Sequence, residues 1–99
     1  MLSKDEILST LINRKEVLKS LGAARLGLFG SFVRNTPNPE SDIDIIIEFE
    51  NGRKTYDNFI SIAYFLEDIF KTKVELVTLN SLSSYIKPYI LKEVEYVSF

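Results

Sequence analysis

At 99 residues, 45% hydrophobic and 26% charged, the chain has the make-up of an ordinary globular domain able to bury about 60–70% of its unfolded surface. It has no cysteine and no histidine, which removes disulfides, thiol nucleophiles, imidazole bases and Cys/His zinc sites, and its net charge of −2 gives no footprint for strong nucleic-acid binding. No apolar run approaches the ~18 residues a bilayer needs and Met-Leu-Ser-Lys-Asp-Glu lacks the order of a signal peptide, so a single cytoplasmic domain over 1–99 with no membrane partner is expected.

Ser3 with Glu6 forms a capping-box pattern, and Ile7, Leu8, Leu11, Ile12, Leu18 and Leu21 recur behind it at helical spacing. This predicts an amphipathic helix over 3–21, stopped by Gly22. Arg25 to Phe29 reads as a short strand ending at Gly30-Ser31. Residues 35–41 carry two prolines among small polar residues and predict a loop. Residues 43–49, Ile-Asp-Ile-Ile-Ile-Glu-Phe, are β-branched and mostly apolar, which predicts a central strand, followed by a turn at Asn51-Gly52. Phe59, Ile62, Ala63, Leu66, Ile69 and Phe70 predict a helix over 56–70, and Val74, Leu76 and Val77 a strand over 73–79. Residues 85–94 read as a last helix, with Pro88 tolerated only in its first turn. Around it Tyr85, Ile86, Tyr89, Ile90 and Val97 are more apolar positions than one buried face needs, which marks a candidate interface. The order is α-β-β-α-β-α, an α/β arrangement of a small sheet with helices. Element lengths alone do not say whether its strands are parallel or mixed.

Strand side chains alternate, so Asp42 and Asp44 share one face while Ile43, Ile45 and Ile47 fill the other. Two adjacent carboxylates repel one another, and a divalent cation removes that penalty. Adding Glu75 from another strand gives three oxygen ligands, suited to Mg²⁺ (or Mn²⁺) together with phosphate oxygens. Gly30 lets backbone approach a ligand, Ser31 offers a hydroxyl and an N–H, and Arg34 lies one turn further on.

Gly30-Ser31-Phe32-Val33-Arg34 followed by Ser41-Asp42-Ile43-Asp44-Ile45 resembles the signature of the DNA polymerase beta-like nucleotidyltransferase superfamily. The likeness is greatest to its minimal nucleotidyltransferase (MNT) branch, the antitoxin of HEPN/MNT toxin–antitoxin pairs. It continues through Lys73-Val74-Glu75-Leu76-Val77 and Ile90-Leu91-Lys92-Glu93, and so covers almost the whole chain. The resemblance implies an α/β (α+β), nucleotidyltransferase-like fold, a small mixed β-sheet flanked by helices. It assigns triphosphate binding to Gly30 and Ser31, metal binding and catalysis to Asp42 and Asp44, and the third-carboxylate position to Glu75. Two departures stand out: Asn35 replaces the usual Gly after the arginine, and Glu75 is a methylene longer than the frequent Asp.

The implied activity is metal-dependent transfer of a nucleoside monophosphate, AMP from ATP, to a hydroxyl. The implied acceptor is a tyrosine of a HEPN-domain toxin partner. Two alternatives remain at this level: a non-catalytic module that masks a HEPN partner, and the nucleotidyltransferase subunit of a small-molecule modifier.

Overall fold

A computed structural model describes residues 2–37 and 40–99. Among the described residues four strands and four helices follow in chain order: α1 (Lys4–Asn13), α2 (Lys15–Ser20), β1 (Ala23–Phe29), β2 (Ile43–Phe49), α3 (Tyr56–Phe70), β3 (Val74–Thr78), α4 (Lys87–Glu93) and β4 (Glu95–Ser98). Short 3-10 turns at Gly30–Phe32 and Leu79–Ser81 follow β1 and β3.

The strands form one mixed sheet in the order β3-β2-β1-β4. β1 pairs antiparallel with both β2 and β4, whereas β2 and β3 are parallel. A parallel pair cannot be joined by a hairpin, and the 15-residue α3 supplies the crossover. Asn51-Gly52 therefore turns the chain from strand into helix, with Gly52 at φ +81°.

Alternation sorts the sheet into two faces. Leu26 and Leu28 of β1, with Ile43, Ile45 and Ile47 of β2, meet α1, α2 and α3 in the main core. The expectation that these isoleucines fill a core on one face is met: Ile43 and Ile45 are fully buried and Ile47 nearly so. On the opposite face Phe29 and Ile46 pack against Ile90 of α4 in a second, smaller core. Gly27 sits between them, where an added Cβ would collide with Val94 and the Tyr96 ring. α4 covers only part of this face; beyond it Arg25 lies 3.7 Å over the Tyr96 ring and pairs with Glu48 at 2.8 Å.

Three expectations need correction. The helix over 3–21 is two helices, with the break at Arg14. The predicted capping box is present, but Ser9 and Thr10 hydroxyls turn back onto the Glu6 carbonyl, contacts that bend helices. The Arg14 N–H then divides between the Thr10 and Leu11 carbonyls, tightening the ladder before α2 resumes.

The last helix begins at Lys87 rather than Tyr85, with Pro88 in its first turn, where a missing N–H costs nothing. The chain also ends in a fourth strand absent from the predicted order. β4 is four residues long and pairs with β1, which buries Val97 in the main core. Val97 is therefore not an interface residue, and Ile90 is likewise buried, whereas Tyr85, Ile86 and Tyr89 are exposed.

The loop predicted over 35–41 is described only in part, because Asn38 and Pro39, like Met1, lie outside the described residues. Asn35 itself has φ +59°, the left-handed geometry that asparagine tolerates best after glycine. No helix among the described residues is long and apolar enough to cross a membrane.

Candidate active site

The ends of β1, β2 and β3 meet α4 around a cleft of about 340 Å³. One wall is polar, made by Gly30, Arg34, Asp44, Glu75 and Glu93; the other is apolar, formed largely by Val77, Leu82, Ile86 and Tyr89.

β1 and β2 bring Phe29 opposite Asp44, so the glycine just beyond the strand lands beside that carboxylate. Gly30 has φ +83°, and a Cβ there would run into the Asp44 carboxylate. Only glycine serves here: the backbone conformation disfavours any L side chain, and the space is already taken. The Gly30 carbonyl accepts the N–H groups of Val33 and Arg34, which closes the turn and carries Arg34 back toward the cleft.

Parallel pairing puts Asp44 and Glu75 in register on the same face. Burial first, then the Glu75 charge and a hydrogen bond shared with Glu75, push the Asp44 carboxyl up from its ordinary 3.8 to about 6. Asp42 adds further repulsion and Arg34 partly opposes the rise. A cleft that forces a carboxyl toward neutrality in this way is poorly matched to water and well matched to a cation.

The predicted site residues are thus brought together unequally. Gly30, Arg34, Asp44 and Glu75 line the cleft. Asp42 lies just before β2, half-buried, and acts on Asp44 through its charge. Ser31 belongs to the 3-10 turn and does not line the cleft; its carbonyl accepts the Thr36 N–H. As the side chains stand, no three acidic groups among the described residues gather into a ready-made metal cage. Asp44 and Glu75 nevertheless fit a hard divalent ion, which is commonly held by one or two carboxylates and completed by substrate phosphates.

Two parts of the cleft are not assigned to the site by the sequence, although Glu93 stands in the Ile90-Leu91-Lys92-Glu93 run of the resemblance and Ile86 and Tyr89 among the interface candidates. Glu93 is held by the Gly30 N–H at 2.7 Å and by Arg34 at 2.9 Å. The apolar wall comes largely from the segment leading into α4. Their place in the cleft has no local signal, because it depends on α4 folding back over the sheet.

The nucleotidyltransferase domain model matches residues 12–97. The protein adenylyltransferase MntA of Thermococcus cleftensis is 38% identical over 98 residues, which cover 98% of this chain and 98% of that protein. A solved minimal nucleotidyltransferase superimposes with a TM-score of 0.70 at 30% identity, over 89% of this chain and 93% of that one. A chain from the complex of tri-AMPylated Shewanella oneidensis HEPN toxin with MNT antitoxin shares the fold, with a TM-score of 0.61 and 20% identity over 90% of this chain and 70% of that one. The glycine wedged under Asp44 and the in-register acidic pair thus lie within a match that spans nearly the whole chain, which belongs to the nucleotidyltransferase family and is a nucleotidyltransferase enzyme.

Proposed function

We propose that the chain is a protein adenylyltransferase that moves AMP from ATP onto a hydroxyl, a tyrosine of a HEPN-domain toxin, and thereby acts as the antitoxin of that toxin. The observation that carries this reading is Asp44, a half-buried carboxylate raised to about 6 beside Glu75 and directly under Gly30. The relative named as a protein adenylyltransferase supports the donor and the class of acceptor. The complex of an MNT antitoxin with an AMPylated HEPN toxin supports the partner.

Asp44, Glu75 and Asp42 would hold Mg²⁺ or Mn²⁺, which when bound neutralises phosphate charge and orients the reacting oxygens. Gly30 admits the triphosphate close to backbone, and Arg34, with Ser31 after a side-chain rearrangement, supplies donors to it. The acceptor oxygen attacks the α-phosphorus, the bond to the β-phosphate breaks, and pyrophosphate leaves. Glu75, exposed at its strand position, takes the acceptor's proton, since no histidine exists to do so. The apolar wall, ending in the exposed Ile86 and Tyr89, gives the base or the partner a surface to lie against.

The test is Asp44→Asn, which preserves shape and removes one charge. Metal-assisted charge stabilisation is worth several kcal/mol, so transfer should fall by about two to four orders of magnitude. The measurements are mass spectrometry of the toxin encoded by the adjacent gene for added AMP, and survival of cells expressing both proteins. Full protection by Asp44→Asn with an unmodified toxin would show that the chain neutralises by complex formation and would overturn the catalytic reading.

A further inference from the structure

Glu93 ends α4 and lines the same cleft as Asp44 and Glu75. A further carboxylate in a cleft that already holds Asp44 and Glu75 adds negative charge there, and contacts must hold it in place. Both of its oxygens are held. Oε2 accepts the Gly30 N–H at 2.7 Å and one Arg34 hydrogen bond at 3.1 Å, and Oε1 accepts a second from Arg34 at 2.9 Å. The Glu93 side chain is only 21% exposed, against 56% for Arg34.

A backbone N–H on a positive-φ glycine and a guanidinium form a cradle for a phosphate oxygen. In this structure a carboxylate fills it. Resting on the nucleotide-transfer reading, we propose that Glu93 is an internal surrogate for one phosphate of the substrate. Incoming polyphosphate must displace it from Gly30 and Arg34 before it can seat.

The physical consequence is competition. The apparent affinity for nucleotide equals the intrinsic affinity scaled by the fraction of molecules in which Glu93 has left the cradle. Because the competitor is tethered to the chain, it is never diluted away. It also neutralises Arg34 and pins the Gly30 turn while no substrate is bound, so the anion cradle is already shaped when substrate arrives. A side chain that merely braced the turn would improve substrate binding; one that occupies the cradle opposes it.

The experiment is calorimetric titration of wild type and Glu93→Gln with ATP plus Mg²⁺ and, separately, with inorganic tripolyphosphate plus Mg²⁺. Glutamine can still accept the Gly30 N–H, so the turn survives, but its charge pair with Arg34 is gone. Both ligands should bind about tenfold tighter to Glu93→Gln. In an Arg34→Gln background that gain should largely vanish, because the guanidinium being freed is absent. Should Glu93→Gln melt well below wild type, Glu93→Asp replaces it: one methylene shorter, it cannot hold Gly30 and Arg34 together and should also tighten binding. Binding by wild type with unchanged or weaker binding by the folded Glu93 variants overturns the surrogate role and leaves nucleotide transfer standing. Binding by neither wild type nor variants overturns both. Binding seen only in the variants supports both.

Discussion

Gly30 and Asp44 are one structural decision made twice, because the glycine exists where the carboxylate needs room. Gly30→Ala would face both a collision with Asp44 and a left-handed backbone that costs an L residue about 1–2 kcal/mol. The expected result is a destabilised protein whose transfer rate falls about a hundredfold or more, measured by melting temperature and by labelled-ATP transfer. Normal stability with normal transfer would mean the turn has slack that the geometry does not show. Asp44 yields a second prediction at the same scale. Its carboxyl holds a proton more tightly folded, near 6, than unfolded, near 3.8. The folded state therefore binds more protons between those values, and stability falls as pH rises through that window. In the presence of a chelator, Asp44→Asn should melt like wild type near about pH 4 and above it once pH exceeds about 6. An advantage independent of pH would assign the gain to something other than the Asp44 charge.

Among the elements, α4 decides whether the cleft exists at all, since it supplies Tyr89, Ile90 and Glu93 to its lining. α4 is seven residues long, too short to be stable alone, and stays on the sheet largely through Ile90 against Phe29 and Ile46. Ile90→Ala should cost about 2–4 kcal/mol as a cavity-forming truncation. It should also loosen the cleft wall and the seat of Glu93, so transfer should drop with stability. Tyr89→Ala provides the contrast: the residue is 73% exposed, so stability should shift by no more than about 0.5 kcal/mol. Any loss of transfer in that variant reports on substrate or partner contact rather than on folding. A large melting-temperature drop in Tyr89→Ala would contradict the exposure seen here.

For the molecule as a whole, the cleft sets acidic groups against a single arginine whose charge Glu93 already answers. A polyanionic triphosphate should therefore bind well only in company with divalent cations. ATP with Mg²⁺ at ten times its dissociation constant adds about 1.4 kcal/mol to stability, which for a domain of this size raises the melting temperature by roughly 6–11 °C. ATP with a chelator should raise it far less. Equal shifts with and without metal would show that the acidic pair takes no part in nucleotide binding.

Much of this was legible in the sequence because it depends on neighbours along the chain. Strand alternation put Ile43, Ile45 and Ile47 in one core and Asp44 on the cleft face, and helical spacing placed the 56–70 helix at its observed bounds. The turn residues read correctly too, since Asn35 and Gly52 take the positive φ their types allow. What local pattern could not decide was which distant segments meet. β4 is four residues whose strand character comes from pairing with β1, and Glu93 reaches Gly30 across 63 positions of sequence. The register of β2 against β3 set Asp44 beside Glu75. Such pairings depend on the packing of the complete sheet, so Gly30, Arg34, Asp44 and Glu75 were nameable from sequence as candidates, while the cleft that gathers them and its charge balance were decided by tertiary structure.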